Sequence, residues 1–326
     1  MRVLITGGYG CIGSWIAKQL LDRGDGVWIY DLKEDWRRIE LVLQPDQLER
    51  VRFVQGDVTV LDQVVDAMRG NRISHVIHLA GLQVPTCRAN PILGASVNVI
   101  GTLCMFEAIR QLAEQVDRLV YASSAAVFGP PNHYAPGPLA ANAPLLPSTH
   151  YGAFKVCNES NARVYWQDHQ IPSIGLRPWT VYGVGRDFGI TSEPTKALKS
   201  VVVGRKYHIS YGGREDLQFV EDVAAAFVRC LEVPYRGAGV YNLRGWPVGM
   251  TEFHKTMVGL EPRAAELITH GDRQLPIAFD LDDSKLQTEI GGIPRTSLAE
   301  GIRRTLAHFR RLLAHGRLDT SELDQQ

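Results

Sequence analysis

The stretch from Met1 to Gly13, MRVLITGGYGCIG, decides how the rest of the chain is read. Val3, Leu4 and Ile5 form a short apolar run of strand type, Thr6 ends it, and glycines follow at Gly7, Gly10 and Gly13. Beyond them Ile16, Ala17, Leu20 and Leu21 recur at helical spacing, and Gly24 stands where a helix should stop. The segment therefore predicts strand, glycine turn, helix. In such a turn Gly7 permits the tight bend, Gly10 lets an anionic group approach the backbone, and Gly13 lets the helix pack on the sheet. One basic residue and a brief apolar run are too little for a secretory leader and far too short to cross a bilayer, so the segment is expected to be the first buried strand.

The same rhythm continues. Val27 to Tyr30, Val51 to Val54, Val76 to Leu79 and Leu119 to Tyr121 are apolar, β-branched runs separated by helical patterns, which predicts βαβ units and a parallel sheet. The expected class is α/β: a Rossmann-type doubly wound parallel sheet over residues 1–180, carrying the catalytic residues, with a smaller substrate-binding lobe over 181–326 whose chain crosses back to the sheet near 215–245. The run Pro130 to Pro147 is rich in proline and should be a surface loop leading into a helix at Tyr151.

Asp31 ends the second strand about 20 residues after the glycine turn, where a carboxylate accepts hydrogen bonds from both ribose hydroxyls of a dinucleotide and repels a 2'-phosphate. Lys33, Arg37 and Arg38 follow it, but the carboxylate holds the strand end, so NAD is expected rather than NADP. Asp57 closes the third strand and either reaches the adenine amino group or caps the helix from Leu61. HLAG, from His78 to Gly81, offers small residues against which a flat cofactor can lie, with His78 itself read as a buried, satisfied histidine.

Lys plus Arg and Asp plus Glu each total 35 in 326 residues, so no global positive field exists to hold a nucleic acid or an anionic membrane. The expected partners are small molecules. Five scattered cysteines show neither zinc-site spacing nor a disulfide framework, which fits a reducing cytoplasm and no metal.

Tyr151 and Lys155 lie four apart in YGAFK, on one face of a helix, so the ammonium is expected beside the phenol, favouring its ionised form and making Tyr151 a general base. Ser123 and Ser124 end the fifth strand at the same sheet edge, where a hydroxyl can hold the substrate oxygen while a hydride leaves the adjacent carbon.

Taken in order, TGGYGCIG, Asp31, GDV at Asp57, HLAG, NVIGT at Asn98 to Thr102, ASSAAVFG, YGAFK and RPWTVYG resemble the NAD-dependent epimerase/dehydratase family of extended short-chain dehydrogenases/reductases, most of all its nucleotide-sugar 4-epimerases. The resemblance covers nearly the whole chain and is strongest through Arg177. It implies Ser124, Tyr151 and Lys155 as the active triad, Cys11 and Ile12 as backbone donors to the pyrophosphate, and Asn98 as a brace of the cofactor site, although Asn98 could instead cap the helix that NVIGT opens. It further implies cofactor contacts from Gly7, Gly10, Asp31, Leu32, Asp57, Val58, Leu79, Ala80, Gly81, Ser123, Pro178 and Val181, with Lys155 on the nicotinamide ribose. Substrate contacts fall to Gln83, Ser124, Ala125, Tyr151, Thr180, Arg186 and Arg214.

The departures concern the substrate. Where dehydratase relatives carry Thr-Asp-Glu, this chain has Ser124, Ala125 and Ala126, which removes the acid and base that eliminate water. Thr180 stands where Asn is frequent, and the basic position before DLQFVEDV is Glu215, with Arg214 one residue earlier, so the resemblance does not carry diphosphate recognition over. The leading expectation is an epimerase that oxidises a sugar hydroxyl and returns the hydride to the other face. A sugar or sugar-acid dehydrogenase releasing NADH uses the same triad, and an NAD-binding sensor without catalysis is the third reading. A homodimer is expected, paired through the helices near Asn98 and Tyr151, where Val99, Leu103, Met105, Phe106 and Ile109, and Phe154, Val156 and Val164, extend beyond one apolar stripe.

Overall fold

A computed structural model describes residues 1–324. Twelve strands are present among the described residues: β1 (Arg2–Thr6), β2 (Gly26–Asp31), β3 (Val51–Gln55), β4 (His75–His78), β5 (Leu119–Ala122), β6 (Ser173–Arg177), β7 (Thr180–Tyr182), β8 (Tyr207–Ile209), β9 (Arg214–Phe219), β10 (Ala238–Asn242), β11 (Trp246–Gly249) and β12 (Ile268–His270). Seven of them make one parallel sheet in the order β10-β6-β5-β4-β1-β2-β3. The order reverses between β1 and β4, which opens the crevice at the carboxyl ends where doubly wound sheets bind ligands.

Both faces of the sheet are covered, as its continuous apolar strands require. In β1, Val3 and Ile5 join the core under the helices Cys11–Asp22 and Val220–Glu232, whereas Leu4 joins the core under Leu61–Gly70, Gly101–Gln111 and His150–His169. The alternation follows from the two-residue period of a strand. Thr6 is level with Tyr30 on one side and His78 on the other, so the ends of β1, β2 and β4 form a single rim.

The second part of the chain contributes to this body: the helix Val220–Glu232 packs on Cys11–Asp22, and β10 extends the sheet beside β6. Its remaining strands form a three-stranded sheet, β11-β9-β7, and the pair β12-β8.

The helix expected to open at Asn98 begins earlier. Pro91–Ala95 runs through a π turn at Ser96–Ile100 into Gly101–Gln111, so Asn98 lies within a continuous helix and does not cap one. This 21-residue run is the one described helix long and apolar enough by composition to cross a membrane, and half of its apolar window is buried against the body of the fold. Met105, Phe106 and Ile109 lie in the protomer's own core, with Phe106 stacked on Tyr165 at 4.7 Å, so they are not free to face a second subunit. The large apolar residues that these helices leave exposed are Ile92, at 84%, Leu93, and Ile100 and Val164, each at 46%.

Candidate active site

At the rim, Gly7 adopts φ +66°, and a Cβ on it would lie 2.8 Å from the Ala80 amide nitrogen. Only glycine holds this bend. Gly10 precedes the helix Cys11–Asp22 without a capping side chain, and the first turn has no acidic residue, so the amides of Cys11 and Ile12 remain open to an anion. A Cβ on Gly13 would meet Gly8 O at 2.6 Å, which accounts for the third glycine by packing.

Asp31, half-buried at the end of β2, accepts the Leu32 amide at 2.9 Å, while the Leu32 side chain is 61% exposed at the outer lip. Burial raises the Asp31 pKa above the ordinary carboxylate range, opposed by the Leu32 amide. The nearby arginines are taken: Arg37 grips Asp35 at 2.6 and 2.8 Å, and Arg38 grips both oxygens of Asp187 at 2.9 Å. Neither guanidinium is left free beside Asp31 for a 2'-phosphate.

Asp57 does not cap the helix from Leu61, whose N-cap is Val60. Its Oδ1 accepts the Thr59 amide and hydroxyl, both at 2.8 Å, closing a turn at the end of β3. Val58 is buried against Gly101. Leu79 and Ala80 are tied to β1, their amides bonding Thr6 O at 3.1 Å and Thr6 Oγ1 at 3.2 Å.

Asn98 is buried with its amide nitrogen on Gly94 O (2.9 Å) and Leu82 O (3.2 Å), and its Oδ1 has no partner among the described residues. That oxygen lies 2.6 Å from where a Cβ of Gly81 would stand. An orphaned carbonyl and an open glycine at the end of β4 make a cradle that a flat polar ring can fill. Pro178 and Val181 are buried behind it, Pro178 O accepting the Ala125 amide at 2.9 Å. The π turn around Asn98 falls where such turns recur, at a functional site.

His78 is buried with both ring nitrogens occupied, by Thr6 Oγ1 at 2.6 Å and Thr102 Oγ1 at 3.1 Å. Burial, aided by the Lys155 charge, pushes its pKa down to about 3. It stays neutral and serves as a wall.

Tyr151 and Lys155 lie on the helix His150–His169, which opens with Thr149 accepting the Gly152 amide at 3.0 Å. Lys155 Nζ is buried, bonds Ala122 O at 2.6 Å, and lies 5.5 Å from the centre of the Tyr151 ring. The ammonium thus sits under the ring, at the end of β5, and not on the phenol oxygen. Burial lowers the Lys155 pKa to about 8, opposed by Cys87 and Glu159. Burial raises the Tyr151 pKa, and what pulls it back is the hydroxyl of Ser124 first and the charge of Arg186 second. The Lys155 ammonium is held over the Tyr151 ring by Ala122 O, and the Arg186 charge adds its pull on the phenol.

Ser124 Oγ also accepts the Ala126 amide at 3.1 Å, and Ala125 and Ala126 behind it are buried and without titratable groups. The hydroxyl of Ser123 is turned away from the cofactor side: it donates to Glu159, which holds Arg177 bidentately at 2.7 and 2.8 Å. The spacing Tyr151, Lys155, Glu159 carries a signal that the sequence reading passed over, since residues four apart share a helix face.

Of the substrate candidates, Gln83 and Arg186 come together. A Cβ on Gly189 would be 2.3 Å from Gln83 Oε1 and 3.6 Å from Arg186 Nη2. Thr180 is buried and donates to Glu215 Oε2 at 2.7 Å. Arg214 does not join them: its exposed guanidinium bonds Pro247 O at 2.9 Å and lies over Phe279. Strand alternation sends Arg214 and Glu215 to opposite faces of β9. A cleft of about 420 Å³ opens beside the site, lined by Val84, Arg88, Pro147 to His150, and Ala153.

Comparison with known proteins accords with this arrangement. Residues 3–243 match the model of the NAD dependent epimerase/dehydratase family. The UDP-glucose 4-epimerase of Mycolicibacterium smegmatis is 30% identical over 321 residues, covering 95% of this chain and 99% of that protein. The UDP-glucose 4-epimerase of Thermus thermophilus, solved with NAD, superposes with a TM-score of 0.80 at 29% identity, covering 95% of this chain and 99% of that one. MoeE5, solved with UDP-glucuronic acid and NAD, gives 0.78 at 27% identity, with 95% and 99% covered. With the amides of Cys11 and Ile12, the Asp31 carboxylate and the orphaned Asn98 oxygen open along one rim, the chain belongs to the NAD-dependent epimerase/dehydratase family and is an NAD-dependent enzyme of the extended short-chain dehydrogenase/reductase type.

Proposed function

We propose that the enzyme is a sugar epimerase that oxidises a hydroxyl to a ketone and restores it with the hydrogen on the opposite face. The observation that carries this reading is the convergence of Ser124, Tyr151 and Lys155 on the rim beside Gly81 and Asn98. NAD, when bound, supplies the acceptor and then the donor of the hydride. Burial holds the Tyr151 phenol toward its neutral form, and Ser124 and Arg186 pull it toward the phenolate, the form that takes the hydroxyl proton as the hydride leaves the adjacent carbon and returns it in the reverse step. Ser124 orients the substrate oxygen. Lys155, fixed on Ala122 O, holds the ribose side of the site. Residues 1–180 supply these groups, and the chain from 181 on supplies the substrate lobe through Thr180's neighbours and Arg186.

Dehydration is disfavoured by the residues themselves. Eliminating water needs a second acid and base beside the serine, and Ala125 and Ala126 provide neither. The similarity to UDP-glucose 4-epimerases supports a sugar as substrate. The exposed Ile100 and Val164 support pairing of two subunits through their helices, and a monomer in sedimentation would remove that reading. A cytoplasmic location accords with five free cysteines.

The test is Tyr151→Phe, which keeps the ring and deletes the hydroxyl. Turnover should fall by roughly 10² to 10⁴, the worth of a positioned acid or base, with NAD affinity unchanged. Near-normal turnover would remove Tyr151 from the chemistry. Reduced-nicotinamide absorbance rising in step with product would make the enzyme a dehydrogenase.

A further inference from the structure

A line of buried hydrogen bonds joins the two walls of the cradle at the end of β4. One wall is the run from Leu79 to Gly81, whose Ala80 amide donates to Thr6 Oγ1 at 3.2 Å. The other is the π turn Ser96–Ile100, which carries the orphaned Asn98 Oδ1. Between them Thr6 Oγ1 lies 2.6 Å from His78 Nδ1, His78 Nε2 lies 3.1 Å from Thr102 Oγ1, and Thr102 Oγ1 donates to Asn98 O at 2.8 Å. Asn158, two turns after Tyr151 on the catalytic helix, clamps the far end: its Nδ2 donates to Asn98 O at 2.8 Å and to Thr102 Oγ1 at 3.0 Å. Thr6, His78, Asn98, Thr102 and Asn158 are each at most 4% exposed.

Counting hydrogens fixes the direction of the line. With the His78 proton on Nε2, Thr6 donates to Nδ1, Nε2 donates to Thr102 and Thr102 donates to Asn98 O, so every hydrogen has an acceptor. With the proton on Nδ1, the ring would point its hydrogen at Thr6, and the Thr6 hydroxyl has no other acceptor among the described residues. A buried donor left without a partner costs more than a made bond contributes. An imidazolium would strand the same hydroxyl, and burial, aided by the Lys155 charge, keeps the ring neutral by pushing its pKa down to about 3.

The line ends where the cofactor reacts. Asn98 Oδ1 and Lys155 Nζ lie 2.6 and 3.8 Å from the place a Cβ of Gly81 would take, so both border the same open glycine. The bonds from Asn98 Nδ2 to Gly94 O and Leu82 O orient its side chain, and the line sets where its backbone stands. We infer that His78 is a positioning residue of the cofactor site: as the neutral Nε2–H tautomer it fixes the spacing between Ala80 and the π turn, and so places Asn98 Oδ1 against the reacting half of NAD. The inference rests on the part of the proposed function that puts this half beside Lys155 and Gly81.

Two measurements test it. In heteronuclear NMR of nitrogen-labelled protein, the His78 ring, assigned by its loss in His78→Gln, should show the neutral Nε2–H tautomer and no titration between about pH 5 and 8. An Nδ1–H tautomer, or titration in that range, would overturn the inference. Titration calorimetry with NAD and with ADP, which reaches the glycine turn and Asp31 but has no reacting half, reads the positioning. Thr102→Val removes the hydroxyl at nearly the same shape and should weaken NAD roughly ten-fold, with ADP within about two-fold of the unaltered enzyme. Thr102→Ser keeps the hydroxyl and should bind NAD within about two-fold. Equal weakening of NAD and ADP in Thr102→Val, as general damage to the fold would give, or unchanged NAD affinity there, would each overturn the inference. The tautomer is read on the unaltered sequence, so that arm decides even where Thr102→Val does not fold. Neither readout involves turnover, so a Tyr151→Phe enzyme that kept its activity would remove the catalytic proposal and leave this one standing.

Discussion

Arg177→Met should destabilise the enzyme by roughly 3–5 kcal/mol, the cost of leaving one member of a buried ion pair behind. Arg177 and Glu159 are both buried, and the guanidinium makes two bonds to the carboxylate, at 2.7 and 2.8 Å, a third to Ala141 O at 2.8 Å and a fourth to Asn242 Oδ1 at 3.2 Å. After the substitution the Glu159 charge retains only the Ser123 hydroxyl. Glu159→Leu strands the guanidinium instead and should cost about as much. The double variant leaves no bare charge. It loses the bonds to Ala141 and Asn242, each worth about 1 kcal/mol, and should therefore cost about 2 kcal/mol in all. The coupling between the two sites is then at least about 4 kcal/mol, far above that of an exposed pair. Urea unfolding of the four proteins, followed by far-ultraviolet circular dichroism, reads these values directly. A cost below about 1 kcal/mol for Arg177→Met with an unchanged m value, or a double variant equal to the sum of the singles, would refute the reasoning.

Lys155→Met should lower turnover and NAD affinity together, since Lys155 Nζ sits between Ala122 O and Gly81; an effect on turnover alone, read by fluorescence titration of NAD, would confine it to the chemistry. Asp31→Ser should narrow the preference for NAD over NADP by at least about ten-fold in kcat/KM, the lost carboxylate being the group that repels a 2'-phosphate at the strand end; an unchanged ratio would place the ribose elsewhere. Folding stability should fall as pH rises from about 6.5 toward 8, because burial raises Glu215 to about 8 and Asp216 to about 7, so that the fold holds protons the unfolded chain has released, at up to ~1.4 kcal/mol per pH unit for each group. Below about pH 6.5 the buried His78, pushed down to about 3, contributes the opposite slope and offsets one of the two carboxyls. Glu215→Gln should flatten the upper part of this slope in urea titrations, and an equal slope would mean that Glu215 is not the group.

The strands and the glycine turn were legible because local pattern and tertiary role coincide there: Val3, Leu4 and Ile5 are apolar on both faces because helices cover both. The site was less legible wherever a side chain's direction decided its role. Ser123 and Ser124 are neighbours, yet one bonds Glu159 and the other faces Tyr151. Arg214 was a candidate because it stands one residue before the family's basic position, but one step along a strand reverses the face, and Glu215 points inward alone. Lys155 obeys its four-residue spacing and still misses the phenol oxygen, because Ala122 O captures its ammonium. Met105, Phe106 and Ile109 read as surplus apolar surface, since the sequence does not reveal that Tyr165 and its helix lie across them. Tyr211 had no local signal; only the packing of β9 and its neighbours brings it beside Glu215.

The segment from Val184 to Thr191 joins these observations. Trp15, on the helix that starts at the glycine turn, donates to Val184 O at 2.9 Å, and Arg38, just past the Asp31 strand, clamps Asp187. Between these anchors stands Arg186, whose own fork is steadied by Thr191. The position of Arg186 is thus set from the cofactor half of the molecule, while its charge acts on Tyr151 in the catalytic helix and on Tyr211 in the substrate lobe. Because the Tyr151 phenol is raised by burial and lowered by Ser124 and Arg186, its acidity depends on how firmly that segment is held.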